Sequence, residues 1–267
     1  KNNITLKLVK GKDLFNLKKF KEAIELLENF NFGKSEIIKE QSRIAILAKS
    51  HDQIGEFEKA FKYFEKANEI SLNINNKFVN KKKTLKMIEK RTNFFKDNKV
   101  KNWKQFNFKS KESSPIFIIG FPRSGTTLLD TILRSHPLIE VIEEKPIIEN
   151  WIKAIQKEVD NDLKYLHNIN ESSAQKFRKM YFDLRNKNIK KNNGKKIYID
   201  KMPLNIIYAG EILRIFPDAK FIMALRHPCD CVLSCFMQSF KMNDAMSNFL
   251  NLEDSANFYN SVMKIWQ

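Results

Sequence analysis

A helical N-terminal region followed by an α/β domain with a parallel sheet is the architecture this sequence predicts. Three observations carry it. Residues 1–95 contain no proline and place apolar residues at three- and four-residue spacing, the helical period. A short repeat lies inside that region. After residue 114, short apolar runs rich in β-formers alternate with helical ones, the pattern of βαβ units and of a parallel sheet with helices on both faces.

The repeat comes first in the chain. "GKDLFNLKKFKEAIELLENF" lines up with "AKSHDQIGEFEKAFKYFEKA": Gly11 matches Ala48, Phe20 matches Phe57, Ala23 matches Ala60 and Leu27 matches Phe64. The offset is 37 residues throughout. Small residues at matched places let two helices approach, and larger ones fill the gap between them. The first copy is the poorer one, with Lys18 in the slot that holds Gly55 in the second. Residues 81–110 then read as a basic helix followed by a polar connection. Beyond it, "PIFIIG", "KKIYID" and "KFIMAL" read as strands, while "TTLLDTILRS", "PLNIIYAGEILRIF" and "PCDCVLSCFMQSF" read as helices. The expected organisation is helical repeats over 1–95, a linker over 96–114 and an α/β domain over 115–267.

Composition narrows the function. The chain of 267 residues is 42% hydrophobic, enough to bury a core. It contains no apolar run near the roughly 18 residues of a membrane helix. The net charge of +17 invites a nucleic-acid reading, but lysine outnumbers arginine 40 to 8, as an AT-rich genome would produce. That excess reads as a solvated surface. It is concentrated in residues 1–110, whose field suits an acidic partner. Cys229, Cys231 and Cys235 are too few and too crowded for a disulfide framework, and a reducing, cytoplasmic setting is expected. With no second cluster, they read as small buried helix residues and not as a metal site. The first residue is Lys1 and the last stretch, "SVMKIWQ", stops inside an amphipathic pattern, so truncation at both ends is expected.

The chemistry concentrates in "IIGFPRSGTTLLDTILRSHP". Gly120 and Gly125 have the spacing of the glycines in a phosphate-binding loop, G-x-x-x-x-G-K-[ST]. Thr126 stands where the lysine should be. Backbone N–H groups from Ser124 to Thr127 at a helix start form an anion site, and the Thr126 and Thr127 hydroxyls can donate to phosphate oxygens. A nucleoside-triphosphate enzyme would need the lysine and an acidic residue for Mg²⁺; "YIDK" instead puts Lys201 beside Asp200. A ligand carrying less anionic charge, with no metal, fits better. A phosphosulfate is such a ligand.

"PRSGTTLLDTILRSHP" resembles the 5′-phosphosulfate loop of sulfotransferases that use 3′-phosphoadenosine 5′-phosphosulfate (PAPS). With Arg123 in the loop and "EE" after "HP", it is most similar to the tyrosylprotein sulfotransferase-like group. That group includes relatives with N-terminal tetratricopeptide repeats, which the 37-residue repeat also resembles. The family's second signature is a strand ending in Arg with a Ser eight residues on, and "FIMALRHPCDCVLS" supplies Arg226 and Ser234.

The resemblance implies a P-loop sulfotransferase fold that continues beyond residue 267, and specific roles. Arg123, Ser124, Gly125, Thr126 and Thr127 would hold the 5′-phosphosulfate; Arg226 and Ser234 would hold the 3′-phosphate. Glu144, 21 positions after Arg123, matches the family's general base, with Glu143 as its rival. A base close to a second carboxylate and partly buried would have a raised pKa. Lys201 and Arg123 would stabilise the sulfuryl group in transfer. Pro146 occupies the place of a family arginine, so the acceptor can differ from peptidyl tyrosine. His136 reads as a helix C-terminal cap and not as a base. The implied function is sulfuryl transfer from PAPS to a hydroxyl or amine, a protein tyrosine included, with a peptide or protein acceptor held by the repeats. Two rival readings stay open: another P-loop transferase such as a kinase, and a repeat adaptor with a vestigial nucleotide domain.

Overall fold

A computed structural model describes residues 2–106, 108, 113–159, 162–189 and 197–267. The chain divides into two compact units. One comprises residues 1–84 and 232–258; the other comprises 85–231 and 259–267.

The first unit is built on two helical hairpins. Helix α1 (Asn2–Asn16) turns into α2 (Phe20–Glu28), and α3 (Ile37–Gln53) turns into α4 (Phe57–Asn75). The matched positions of the repeat do matched work. Lys18 and Gly55 both sit in the turns in left-handed backbone, with φ of 60° and 82°. Ala23 and Ala60 are buried, as are Leu27 and Phe64. A Cβ on Gly11 would stand 2.5 Å from the Leu27 side chain, so that glycine is what lets α1 and α2 close. Leu27, Ile44, Leu47 and Ala67 join in one core. Phe20 and Phe57 match in sequence only: Phe57 is 68% exposed. A buried ion pair, Arg43 to Glu40 at 2.6 Å, is anchored by Arg43 Nη1 donating to the Leu27 carbonyl.

The second unit holds a four-stranded, all-parallel sheet in the order β2-β3-β1-β4. Its strands are β1 (Ile116–Gly120), β2 (Ile139–Glu143), β3 (Ile197–Lys201) and β4 (Lys220–Ala224). The basic helix is α5 (Lys81–Phe95), and the polar connection after it includes a short helix, α6 (Asn98–Lys101). Between strands lie α7 (Thr126–Arg134), α8 (Ile147–Gln156), α9 (Tyr165–Asn168), α10 (Glu171–Asn186) and α11 (Ala209–Ile215), and α12 (Pro228–Phe236) follows β4. Residues 203–208, expected as the start of α11, form a separate 3₁₀ turn opened by Pro203. Strand β2 is not announced by the sequence. Its five residues, "IEVIE", end in Glu143, and Glu144 follows directly.

Alternation along the strands sorts side chains onto two faces. Phe117 packs on Tyr181 of α10, with Trp151 and Phe216 completing an aromatic layer. Asp200, paired in register with Phe117, points to this same face. Lys201 belongs to the opposite face, where α7 lies.

Asp200 is 1% exposed, and neither carboxylate oxygen has a hydrogen-bond partner among the described residues. Burial pushes its pKa up to about 8. The folded state therefore holds a proton that the unfolded chain releases above the ordinary carboxylate range. Stability falls as pH rises through that window, by about 1.4 kcal/mol per unit, and levels off above about 8. Asp200→Asn removes this slope. In urea titrations the variant gains on the natural protein from pH 5 to pH 8; equal slopes for the two would refute the assignment.

At Gly120, φ is 155°, and an added Cβ would stand 2.7 Å from the Ala224 carbonyl oxygen and 2.8 Å from Ser124 Oγ. Gly120→Ala must displace backbone on β4. The expected destabilisation is roughly 2–4 kcal/mol by urea unfolding.

Candidate active site

All four strands deliver polar groups at or just beyond their carboxyl ends. Strand β1 ends at Gly120 and opens a loop over residues 121–125. Gly125, in left-handed backbone at φ 100°, precedes α7. Arg123 is also left-handed, with φ 68°. A left-handed arginine costs on the order of 1 kcal/mol and marks a loop held in one shape by its surroundings. The first N–H groups of α7 have no partner within the helix. Ser124 is 6% exposed, and its hydroxyl has no hydrogen-bond partner among the described residues. Thr126 is buried and Thr127 is exposed.

The end of β4 meets this loop. Arg226 is exposed, and its Nη1 donates to the Arg123 carbonyl at 3.3 Å while its Nε reaches Asp230 Oδ2 at 3.3 Å. The structure thus brings Arg226 to the loop, 103 residues earlier in the chain. Ser234 is partly buried on α12, in the part of that helix that belongs to the first unit.

Strands β2 and β3 supply the acid and base groups. Their register sets Glu143 opposite Lys201, and the Glu144 N–H donates to the Lys201 carbonyl at 2.8 Å. Glu144 is left-handed at φ 47°. The Lys201 side chain is fully buried; its Nζ lies 2.8 Å from Glu144 Oε1, 3.2 Å from Glu143 Oε1 and 3.9 Å from Asp130 Oδ2. Arg134, on α7, grips Asp130 with both Nε and Nη2, and Nη2 also reaches Glu143 Oε2 at 3.0 Å.

The two glutamates are thereby made unequal. Both Glu143 oxygens are engaged, and the hydrogen bonds from Arg134 and then Lys201 hold its carboxyl below the usual range. Among the described residues Glu144 is bonded through one oxygen only, and its side chain is 55% exposed. The sequence suggested a partly buried base; the left-handed turn instead carries Glu144 out of the strand into the open.

Asp130 and Arg134 are site residues that sequence reasoning missed. Their i, i+4 spacing reads as a surface ion pair, and nothing in the sequence says that Asp130 is fully buried. His136 lies in the turn after α7, where Nδ1 accepts from the Leu138 N–H at 3.2 Å. Cys231 and Cys235 are buried as expected, whereas Cys229 is exposed. Among the described residues, no group of three His, Cys, Asp or Glu side chains is placed to hold a metal ion, and no helix is long and apolar enough to cross a membrane.

The sulfotransferase family model matches residues 115–267, which contain the loop, both glutamates, Lys201 and Arg226. An uncharacterized protein of Aquifex aeolicus (strain VF5) is 29% identical over 243 residues. The match takes in 85% of this chain and 30% of that protein, so the chain spans less than a third of the length of that relative. The crystal structure of sulfotransferase STF9 from Mycobacterium avium aligns with a TM-score of 0.28 at 14% identity, over 81% of this chain and 64% of that one. By the match over more than half of its length, the chain belongs to the sulfotransferase family of enzymes.

Proposed function

We propose that the chain carries the centre of a PAPS-dependent sulfotransferase, acting on a hydroxyl or amine with Glu144 as general base. The observation that carries this reading is the loop. A buried serine hydroxyl that lacks a partner among the described residues, the N-terminus of a nine-residue helix and an arginine bonded to the loop backbone converge where an anion would sit.

The fit can be tested on the residues present. Gly125, where an added Cβ would meet nothing, leaves no side chain between backbone and ligand; the Ser124 N–H already donates to the Phe121 carbonyl at 3.1 Å, so the N–H groups of Gly125 to Thr127 would hold a 5′-phosphate oxygen. Ser124 Oγ would gain the partner it lacks. Arg226, exposed beside the loop, would take the 3′-phosphate, with Ser234 assigned to it by the family resemblance. Bound there, PAPS supplies a sulfuryl group on a phosphate leaving group.

Glu144 would take the proton of the acceptor O–H or N–H. The loop N–H groups and Arg123 would receive the charge that develops on the phosphate leaving group. Lys201 is shut off from solvent and already shared among carboxylates. To reach a sulfuryl oxygen it must loosen its bond to Glu144, which happens naturally as Glu144 is protonated and loses its charge.

The two hairpins of the first unit belong, in this reading, to tetratricopeptide-type repeats that hold a peptide or protein acceptor with acidic segments, a protein tyrosine among the possible sites. A cytoplasmic setting accompanies it.

Calorimetric titration with adenosine 3′,5′-bisphosphate, with ATP–Mg²⁺ in parallel, tests the centre. Bisphosphate should bind without added metal, and Arg226→Ala should weaken it roughly tenfold to a hundredfold, the worth of one charged hydrogen-bonded contact. Preference for ATP–Mg²⁺ would sink the proposal in favour of a kinase. Binding of neither would favour an adaptor with a vestigial nucleotide domain.

A further inference from the structure

Four side chains behind Glu144 close a ring. Asp130 is held by Arg134, Arg134 reaches Glu143, Glu143 reaches Lys201, and Lys201 comes back to within 3.9 Å of Asp130. Two carboxylates and two cations make the ring neutral. Glu144 hangs outside it, attached through Lys201 Nζ at 2.8 Å. We propose that Asp130 and Arg134 are positioning residues for sulfuryl transfer: with Glu143 they satisfy the charge of Lys201 inside a neutral ring, so that Glu144 is left as the carboxylate able to accept the acceptor's proton. This rests on the reading of Glu144 as base given above.

The argument is one of charge balance at a buried site. Lys201 is fully buried and Asp130 is 0% exposed, so neither can be left uncompensated without a penalty of several kcal/mol. Were Glu144 the only counterion of Lys201, its protonation would strand a buried ammonium, and the base could not work. With Asp130 and Glu143 already balancing Lys201 and Arg134, Glu144 can gain or lose a proton and the buried charges stay matched.

The placement is built into the fold. Thr126, Asp130 and Arg134 lie four residues apart on α7, in one row along the helix. The row begins in the loop and ends over the carboxyl end of β2. The helix that opens at the anion site therefore reaches the base by way of the ring. The charged groups that bear on Glu144 are Lys201 from β3, Glu143 from β2 and, through these, Asp130 and Arg134 from α7; Lys145 follows it in the chain.

The proposal predicts shifts of opposite sign from two substitutions in one ion pair. Asp130→Asn leaves the ring with one excess positive charge, which favours ionised Glu144 and lowers its titration midpoint. Arg134→Gln leaves one excess negative charge and raises it. Each shift should be about half a unit to one unit, at the low end for a nearby charge because Glu144 is solvent-exposed. The double variant Asp130→Asn/Arg134→Gln restores neutrality, and the midpoint should return close to that of the natural protein.

The readout is carbon-13 NMR of glutamate-labelled protein over a pH series, with the Glu144 carboxyl signal identified by its loss in Glu144→Gln. Opposite shifts with restoration in the double variant establish the ring. Shifts of the same sign, or none, overturn it, because a purely structural pair would lower stability in all three variants without moving Glu144 in opposite directions. If Asp130→Asn fails to fold, Arg134→Gln alone against the double variant still decides the sign. Adenosine 3′,5′-bisphosphate affinity is measured on the same samples and should not change, since neither residue is placed to touch a phosphate. Absence of that binding in the natural protein would count against the sulfotransferase reading; the ring would still be decided by the titration.

Discussion

An ammonium group with no access to water is the constraint on which the second unit turns. Lys201 ends a central strand, and its charge must be met by protein groups alone. That requirement reaches outward through the fold. It calls for an acidic residue at the end of the neighbouring strand β2, and for another one turn into the helix that follows β1. It also fixes strand register. A slip of β3 by one residue would turn Lys201 to the aromatic face beside Tyr181 and bring Asp200 round to the α7 face, exchanging a matched set of charges for two mismatched ones. Such networks add little net stability against an apolar core of the same volume. Their effect here is to admit one pairing of β2 with β3.

In the proposed function the loop after β1 answers a different problem, the delivery of N–H groups to an anion without a lysine to help. The backbone does this through glycines at both ends and a left-handed arginine between them. Arg226 ties the loop to the corner after β4 by bonding the Arg123 carbonyl at 3.3 Å. The first unit uses the same backbone device for packing alone. Lys18 and Gly55 turn their hairpins in the left-handed region, and the chain tolerates lysine at one of them because the alternative is a hairpin that does not close.

Much of this was legible in the residues. The repeat offset of 37 located both turns, and the strand–helix alternation located β1, β3, β4 and the loop. What escaped reading shares one physical cause: burial of charge is not written in local sequence. "DTILR" has the spacing of a solvated ion pair, and only the tertiary fold makes Asp130 a core residue. "IEVIE" is too acidic to announce a strand, yet it pairs along β3 and sets Glu143 opposite Lys201. Asp200 could be read only as an acid that failed to suit a metal; its apolar surroundings come from α8 and α10, far along the chain. Glu144 was placed correctly in order but not in exposure, because a left-handed turn at a non-glycine residue leaves no signature in the residue itself.

Two residues of the site, Arg123 and Glu144, are held in backbone that a glycine would occupy at ease. Anyone raising the heat resistance of this protein would be drawn to them, since relief of such strain is a common source of added stability. The same substitutions would delete the side chains that stand nearest the proposed chemistry. The positions where robustness is easiest to gain are therefore those where it would be exchanged for activity. A search for hardier variants should look instead to Lys18, where the same backbone geometry serves only a turn.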